Sequence, residues 1–272
     1  MNYRHAFHAG NFADCMKHAL LVWLLRALAR KPAPFHVLDS HAGIGRYSLD
    51  SDEAQRTGEW RAGIGRLMDI TEGPLADYVA LVREDGGYPG SPALAAALLR
   101  EQDRLSLVEL HEADHATLRA TFRRDARVAT HRRDAWEAVR ALTPFAEKRG
   151  LVLMDPPFEQ PGEYERLTAA IAEVNRRARG LVQAAWYPVK GRAPVRAFHA
   201  ALAETGVRDI LAAELHLREP TDAARLNGCG LIVVNPPFGF EAAARDILAA
   251  LHARLATGEA GGGWALTRIA DE

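Results

Sequence analysis

Short apolar runs alternate with helical patterns along this 272-residue chain, and the alternation constrains the fold more than any other feature. Strands and helices in alternation are typical of a largely parallel sheet covered by helices, so we expect an α/β fold. The expected strands are Phe35–Asp39, Leu105–Leu110, Arg127–His131, Leu151–Asp155, Leu181–Trp186, Ile210–Leu217, Leu231–Asn235 and Trp264–Ile269. The expected helices are Ala13–Leu28, Ala93–Glu101, Ala113–Arg123, Glu163–Arg177, Val195–Thr205 and Glu241–Leu255.

The composition is that of an ordinary globular protein, 48% hydrophobic and 25% charged, and predicts one domain over residues 1–272. The only cysteines, Cys15 and Cys229, indicate a reducing compartment without a disulfide framework. The apolar run Ala19–Leu25 is too short to cross a bilayer and follows a histidine-rich leader unlike a signal peptide. We expect a cytoplasmic protein with no membrane contact. We expect a monomer, because the sequence has no heptad pattern or large apolar stripe.

The formal net charge is −1, so the chain as a whole does not attract a polyanion. Any nucleic-acid binding must depend on local basic clusters such as Arg132-Arg133 and Arg176-Arg177-Ala178-Arg179. Taken alone, either cluster is more commonly a solvated charged face.

A glycine turn follows the first expected strand in VLDSHAGIGRYSL, where Gly43 and Gly45 let the backbone approach a ligand closely. The dinucleotide fingerprint requires glycine at the position of Ser48, so a smaller nucleoside is a better fit than a dinucleotide. A purely structural turn is an equally good explanation of the glycines alone. AGIGR occurs again at Ala62–Arg66, but that copy follows no strand, and we expect it to serve helix packing.

The distance from the glycine turn to the next strand that ends in an acid is long. A ribose-binding acid usually follows such a turn by about 20 residues, whereas here the next strand ending in an acid is Leu105–Glu109. The excess, about residues 50–90, predicts a small inserted helical subdomain, with helices at Glu59–Ile70 and Leu75–Arg83.

Two acids, Glu109 and Asp134, follow successive expected strands. One carboxylate can accept both hydroxyls of a ribose, and a second can accept an adenine amino group. Either acid alone is more often a solvated loop residue. At the carboxyl edge of one sheet, where open α/β sheets bind ligands, the pair favours a nucleoside site.

The strand Leu151–Asp155 runs into D-P-P-F. Asp155 and the Pro156 carbonyl can accept the two hydrogens of a nucleobase amine, and Phe158 can stack on the base. Asp155 would orient and partly deprotonate the amine. The alternative is a buried strand with a Pro-Pro stop. A second copy, N-P-P-F at Asn235–Phe238, ends a strand that reads as the second arm of a hairpin. That arm would put Asn235 at the opposite edge of the sheet, so we expect a structural role for it.

Several motifs together resemble one family: YRHAFHAGNFADCMKH, LDSHAGIGRY, YPGSP, LREQD, DPPF and the late NPPF, in this order. They are similar to the RlmJ family of bacterial 23S ribosomal RNA adenine-N6 methyltransferases, nearly from end to end. The resemblance implies a class I, Rossmann-like methyltransferase fold with a small helical insertion. It also implies S-adenosylmethionine as cofactor and N6 of one adenine in 23S rRNA as the methyl acceptor.

The resemblance also implies roles for individual residues. The cofactor contacts carried over by motif are His18, His41, Ser91, Glu109, Asp134 with Ala135, and Asp155. Asp155 becomes the proton acceptor, Tyr3 lies against the RNA, and His5 and Lys17 support substrate or cofactor binding. The departures are small: Cys15-Met16 replaces aliphatic residues, and Phe158 stands where the family often has tyrosine, which keeps the ring but drops a hydroxyl.

Several of these residues also fit roles unrelated to methyl transfer. His5 and His8 could suggest a metal pair, but no matching ligand cluster completes it, so we expect no metal. Ser91 before Pro92 is a typical helix start, with serine as N-cap. Lys17, on an apolar helix, could extend its ammonium to water.

Rival functions also remain open. A DNA adenine-N6 methyltransferase shares the D-P-P-F pocket but commonly carries a separate target-recognition domain, for which the insertion is too small. A non-catalytic RNA- or nucleotide-binding module on the same fold would bind cofactor without turnover. A nicotinamide oxidoreductase is disfavoured by Ser48.

Overall fold

An eight-stranded sheet forms the centre of the structure, a computed structural model that describes residues 4–272. The strands are β1 His36–Asp39, β2 Arg46–Tyr47, β3 Tyr88–Pro89, β4 Arg104–Val108, β5 Val128–His131, β6 Gly150–Met154, β7 Val182–Val189, β8 Ile210–His216, β9 Gly228–Val234 and β10 Gly263–Ala270. Their order in the sheet is β10-β8-β9-β7-β6-β1-β4-β5, and β2 and β3 form a separate pair.

Five neighbouring strands, β7-β6-β1-β4-β5, run parallel, so the predicted mostly parallel sheet is confirmed. The chain builds outward from β1 through β4 to β5, then returns to add β6 and β7 on the other side of β1. The fold is therefore a Rossmann-like, doubly wound sheet. Its strand order reverses between β1 and β6, and ligands bind in the crevice at the carboxyl ends of such strands.

Helices cover both faces of the sheet. They are α1 Phe12–Ala29, α2 Asp52–Thr57, α3 Glu59–Ala62, α4 Ala76–Asp85, α5 Ser91–Leu98, α6 Glu112–Phe122, α7 Ala135–Leu142, α8 Glu163–Arg177, α9 Arg192–Glu204 and α10 Phe240–Leu255. In β6, Leu151 and Leu153 pack on the face of α1, α5 and α10, while Val152 and Met154 pack on the face of α7, α8 and α9. Strands buried on both faces in this way read as continuous apolar runs. Across residues 4–272, every helix is too short or too polar to span a membrane.

Helix α1 is buried on nearly all sides, as the sequence predicts for a covering helix. Asn11 caps it by accepting hydrogen bonds from the amides of Ala13 and Asp14. Lys17 lies inside the protein with its side chain 5% exposed, so extension of its ammonium to water is wrong. Charged groups on this otherwise apolar helix must therefore find partners within the fold.

Most predicted elements are present within a few residues of their expected bounds. Helices α2 and α7 and the short strands β2 and β3 were not predicted. Ser91 is not an N-cap: Gly90 takes that position with extended backbone, and the Ser91 hydroxyl donates instead to Asp39. The expected helix Glu59–Ile70 is wrong, because α3 ends at Ala62.

The second AGIGR copy explains why α3 ends. A Cβ on Gly63 would lie 2.1 Å from the carbonyl oxygen of Gly10, and the Ile64 amide donates to that same oxygen. Only glycine allows this close approach of two backbones. This copy fastens the end of α3 to Gly10 and Asn11, directly before α1. The expected helix at Leu75–Arg83 is present as α4.

The predicted hairpin around the second N-P-P-F is confirmed, because β9 runs antiparallel to both β7 and β8. Asn235 therefore lies at the amino edge of the parallel strands. Its side-chain amide donates to the carbonyl oxygens of Arg179 and Leu181 at 2.7 and 2.8 Å, which fixes the start of β7. Phe238 of the same copy is 99% exposed.

Asn235→Ala should lower the free energy of unfolding by about 2 kcal/mol, since two hydrogen bonds of roughly 1 kcal/mol each are lost. Asparagine also tolerates the positive φ of 51° at this position better than alanine does. Urea unfolding measures the change. Phe238→Ala is the matched control and should stay within about 0.5 kcal/mol of wild type. Equal stability of Asn235→Ala and wild type would contradict the assigned role.

Candidate active site

A cleft of about 1630 Å³ opens at the carboxyl edge of the sheet, beside the point where the strand order reverses. It is lined by every predicted site residue within the described part of the chain: His5, Lys17, His18, His41, Ser91, Glu109, Asp134, Ala135, Asp155, Pro156 and Phe158. Tyr3 lies outside the described residues. The structure thus brings together residues from the leader, α1, the glycine turn and three strand ends.

A chain of charged groups links the leader to the end of β6. His5 Nε2 lies 2.9 Å from Asp14 Oδ2, and Asp14 Oδ1 lies 2.9 Å from Lys17 Nζ. Lys17 Nζ in turn donates to Asp155 Oδ2 at 2.5 Å. The ammonium of Lys17 therefore bridges two carboxylates from distant parts of the chain and fixes the orientation of the Asp155 side chain.

The charges in this chain stabilise one another. Burial opposes the charge of Lys17, but the carboxylates of Asp14 and Asp155 outweigh it and hold the pKa of Lys17 well above its usual value. Burial also opposes the charge of Asp14, yet His5 and Lys17 hold the pKa of Asp14 well below its usual value. Lys17 therefore stays protonated at neutral pH and acts as a hydrogen-bond donor, not as a base.

The segment between β2 and β3 holds residues 5–11 of the N-terminal leader in place. Glu59 accepts hydrogen bonds from the Asn11 side chain at 3.0 Å and lies 3.0 Å from His8 Nδ1. The hydrogen bond to Glu59 is the main cause of a raised pKa at His8, with burial acting against it. The Thr57 hydroxyl also donates to the carbonyl of Phe7. The inserted helices thus position the part of the chain that carries His5.

Glu109 lies at the end of β4 and binds the glycine turn. Its two oxygens accept the amides of Gly43 at 3.0 Å and His111 at 2.7 Å. Burial raises the pKa of Glu109, and the two amide bonds oppose that shift. Each carboxylate oxygen keeps a second lone pair, so Glu109 can still accept the two hydroxyls of a ribose.

Asp134 follows β5 and caps α7. Its Oδ1 accepts the amides of Trp136 and Glu137 at 2.9 and 3.0 Å. The other oxygen, Oδ2, is left to accept an amino group, and Ala135 begins the helix beside it. Glu109 and Asp134 thus lie at neighbouring strand ends with acceptors available, as a bound adenosine requires.

Asp39, at the end of β1, organises the floor of the cleft. It accepts the Ser91 hydroxyl at 2.6 Å and the His41 amide at 3.2 Å. Burial raises the pKa of Asp39 to about 6. Burial also lowers the pKa of His41 to about 4, so its imidazole is uncharged at neutral pH and can accept hydrogen bonds.

His18 is held in the same uncharged form on α1. Its Nδ1 lies 2.9 Å from the hydroxyl of Tyr88, which in turn lies 3.1 Å from the hydroxyl of Tyr78. Burial lowers the pKa of His18 to about 3. Two neutral histidines therefore line a cleft whose acids can attract a positively charged ligand.

Phe158 forms an aromatic wall beside Asp155. Its ring meets Tyr164 edge-on at 4.8 Å and Trp186 at 5.9 Å, measured between ring centroids. The Tyr164 hydroxyl donates to the carbonyl of Pro188, so the supporting ring is itself fixed. Phe158 has a φ of 52°, a conformation that costs of order 1–3 kcal/mol in a bulky residue and is concentrated at functional sites.

Three residues important for the geometry were not among the predicted site residues: Asp14, Asp39 and Trp186. Asp14 could have been paired with Lys17, three residues further along the predicted helix, whereas its spacing from His5 gives no sign of a contact. Asp39 could have been found as the acid that ends the strand before the glycine turn. Met154 of β6 pairs with Ala185 of β7, and the next residue on each strand is Asp155 and Trp186, so these two residues are neighbours.

The hydrogen-bond acceptors at Glu109 and Asp134 fit the adenosine part of S-adenosylmethionine. Its adenosine moiety needs acceptors for two ribose hydroxyls and one amine, which Glu109 and Asp134 provide. The turn at Gly43 brings the backbone close to that site, and its positive φ of 57° suits glycine. A second nucleobase would then lie between Asp155 and Phe158, on the opposite side of β1 from β4.

Comparisons with known proteins agree over nearly the whole chain. Residues 32–269 match the family model described as "Ribosomal RNA large subunit methyltransferase D, RlmJ". The chain is 39% identical over 275 residues to the Escherichia coli (strain K12) protein named Ribosomal RNA large subunit methyltransferase J, covering 97% of this chain and 98% of that protein. It is 40% identical over 281 residues to the Haemophilus influenzae protein of the same name, with both chains covered completely. The crystal structure of a Legionella pneumophila protein has a TM-score of 0.87 at 30% identity, covering 96% of this chain and 98% of that chain.

Asp39→Asn should remove a pH dependence of stability. The folded-state pKa of about 6 lies above the ordinary 3.8, so the folded protein binds the proton more tightly. The free energy of unfolding of wild type should therefore fall as pH rises from about 4 to 6, by roughly 2 kcal/mol more than in the variant. Urea unfolding from pH 4 to 7 measures this. Asp52→Asn on exposed α2 is the control, and parallel curves for wild type and Asp39→Asn would contradict the prediction.

Glu59→Gln should loosen the leader. Because the raised pKa of His8 depends on Glu59, the variant should bring the pKa of His8 back toward its ordinary value. In wild type this ion pair is fully present below about pH 6.5 and is lost as pH rises through the raised pKa. Histidine titration by NMR and hydrogen exchange of residues 5–11 measure both effects. Glu72→Gln, exposed in the same segment, should change neither, and unchanged exchange in Glu59→Gln would refute the role.

Proposed function

The chain belongs to the RlmJ family of ribosomal RNA large subunit methyltransferases, and we propose that it transfers a methyl group from S-adenosylmethionine to N6 of an adenine in 23S ribosomal RNA. One observation carries the proposal most directly: a carboxylate fixed by a buried ammonium, Asp155 with Lys17, lies beside the aromatic wall of Phe158. The acceptors at Glu109 and Asp134 supply the cofactor half of the same cleft. Because the proposed substrate is ribosomal RNA, we expect the enzyme to act in the cytoplasm.

When bound, S-adenosylmethionine supplies a methyl carbon made electrophilic by the adjacent sulfonium. The chain's own residues would hold it by the ribose at Glu109 and by the adenine at Asp134 and Ala135. His41 and Ser91 line the cleft between these acids and Asp155. Because both side chains are uncharged, they can contact a positively charged ligand there without repelling it.

The amine of the target adenine is a weak nucleophile because its lone pair is delocalised into the ring. Lys17 engages Oδ2 of Asp155, which leaves Oδ1 to accept one amine hydrogen, and the Pro156 carbonyl can accept the other. Hydrogen bonds to both hydrogens favour a lone pair localised on nitrogen and directed at the methyl carbon. Alignment of this kind supplies much of the rate acceleration in a reaction between two bound partners.

Methyl transfer needs no electrons or protons beyond those of the two bound partners. The amine nitrogen forms a bond to the methyl carbon while the carbon–sulfur bond breaks, and that electron pair stays on sulfur. The nitrogen becomes cationic and releases a proton to Asp155 Oδ1, from which it passes to water. Lys17 keeps its own proton, so its role is to orient the carboxylate of Asp155.

The target adenine has to leave its stack to reach Asp155. Extrusion costs a few kcal/mol, least where the base is already unpaired. Stacking on Phe158 returns about 1–3 kcal/mol. Tyr164 and Trp186 both contact that ring, so the stacking surface exists before the base arrives.

An assay with labelled S-adenosylmethionine and unmodified 23S rRNA transcribed in vitro tests the function. Wild type should label N6 of adenine, identified by mass spectrometry of the nucleosides. Asp155→Asn should lower kcat by on the order of 100-fold or more while RNA affinity changes little, because removal of a proton acceptor costs about that much. Absence of transfer by wild type to this RNA would refute the function.

Asn235→Ala is the matched control, since it alters the other copy of the motif at the far edge of the sheet. It should keep the wild-type kcat when assayed below its melting temperature. Full activity of Asp155→Asn and Asp155→Ala would leave the function standing but refute the role of Asp155. A preference for DNA over RNA in direct competition would identify the DNA enzyme instead.

A further inference from the structure

A second, shallower depression of about 660 Å³ lies on the outer face of α6, next to the edge strand β5. Its charged and polar lining is Glu112, His115, Arg119, Arg123 and Arg132, which we call the α6 groove. No residue of this groove takes part in the methyl transfer proposed for the cleft. Its composition is strongly basic in a protein whose formal net charge is −1.

Most of these positive charges have no carboxylate partner. Arg132 pairs with Glu112 at 3.0 Å, but among residues 4–272 Arg119, Arg123 and the neighbouring Arg133 form no ion pair. All of these arginines are exposed. Arg119 lies in the last turn of α6 and Arg123 is the C-cap residue four positions further on, so two positive charges lie at the same helix end. A bound anion would offset the repulsion between them.

Two histidine nitrogens beside these arginines also lack partners. The Nε2 atoms of His115 and His131 are buried and make no hydrogen bond within the described chain. Burial and the positive charge of Arg133 lower the pKa of His131, consistent with a positive potential at this edge of the sheet. Exposed arginines on one face suit the oxygen atoms of phosphate groups.

The other basic cluster in the sequence, Arg176-Arg177-Ala178-Arg179, differs in the pairing of its charges and in its position relative to the cleft. Arg176 is neutralised by a bidentate bond to Glu173, and Arg177 donates to the carbonyl of Thr143. This cluster also precedes β7, so it lies at the amino edge of the sheet, away from the cleft. Of the two clusters, only Arg132-Arg133 combines available charge with a position at the carboxyl edge.

The α6 groove continues into the cleft. Arg133 lines the cleft, the adjacent Arg132 lines the groove, and Asp134 follows as a cofactor acceptor. Helix α6 contributes to both, since Asp114 and Thr117 face the cleft while His115 and Arg119 face the groove. A polyanion that enters the cleft at Asp155 can therefore extend along one surface, past the cofactor site, to α6.

We infer that the α6 groove binds the phosphate backbone of the RNA whose adenine is methylated, outside the target nucleotide itself. The inference rests on the proposed function for the identity of the polyanion. Backbone contacts of this kind position an RNA and carry no sequence information directly. They make affinity depend on salt, because each neutralised phosphate releases condensed counterions.

The test compares Arg119→Gln/Arg123→Gln with wild type in binding to protein-free 23S rRNA across a series of salt concentrations. Loss of two phosphate contacts should reduce the slope of log K against log salt by about 1.4 to 1.8. Affinity near 0.1 M salt should fall on the order of tenfold. KM for the RNA should rise in parallel, whereas kcat at saturating RNA and the Kd of S-adenosylmethionine should stay at wild-type values.

The matched control is Arg179→Gln/Arg196→Gln, which removes the same charge from exposed arginines that form no ion pair within residues 4–272. It should leave the slope almost unchanged. Equal slopes for the groove variant and wild type, or equal losses in both double variants, would overturn the inference. Thermal unfolding checks that each double variant keeps the fold of wild type.

Failure of this inference can be told apart from failure of the proposed function. If wild type methylates adenine in 23S rRNA but the groove variant binds and turns over as wild type does, only the groove assignment is wrong. If wild type transfers no methyl group to the RNA, the function itself is wrong. A groove variant that loses cofactor affinity together with RNA affinity would also overturn the inference, because the groove would then support the cofactor site.

Discussion

The rest of the site depends on one buried ion pair, between Lys17 of α1 and Asp155 at the end of β6. Removing a charge from water costs several kcal/mol, and only well-placed partners offset that cost. Lys17 has two carboxylate partners, and the second, Asp14, is held by His5 and by the Gly10 amide. The carboxylate that we assign to catalysis is therefore oriented by residues 138 positions earlier in the chain. Leader, helix and strand must assemble together before Asp155 has a defined orientation.

The strand order of the sheet separates the cleft into two sides. Because the strand order reverses at β1, the loops after β4 and β5 lie on one side and those after β6 and β7 on the other. Glu109 and Asp134, the acceptors that we propose for the cofactor, lie on the first side, and Asp155 and Phe158, which we propose for the target base, lie on the other. The glycine turn after β1 lies between the two sides. In the proposed mechanism, this topology alone would bring methyl donor and acceptor next to each other, without any special loop.

The sequence predicts the parts of this site that depend on local pattern. Glu109, Asp134 and Asp155 each follow a strand, and parallel strands bring such ends to one edge. The hairpin that places Asn235 at the opposite edge can also be predicted from the sequence, because β8 and β9 are close in the chain. The ion pair of Lys17 with Asp155 is not readable, since no local pattern records a contact across so much sequence. The end of α3 at Gly63 was missed for the same reason: what stops the helix is the backbone of Gly10, more than fifty residues away.

The two copies of the proline motif show how position overrides sequence. Both have a rigid Pro-Pro step before a phenylalanine, yet Phe158 contacts two aromatic rings edge-on and Phe238 is almost fully exposed. The residues at the first position of the motif also differ. Asp155 faces the cleft, whereas the side-chain amide of Asn235 donates to two backbone carbonyls. A base-binding pocket needs an acceptor and a ring face left available next to a methyl donor. Strand direction decides this, because only a strand parallel to β1 ends at the edge where the glycine turn lies.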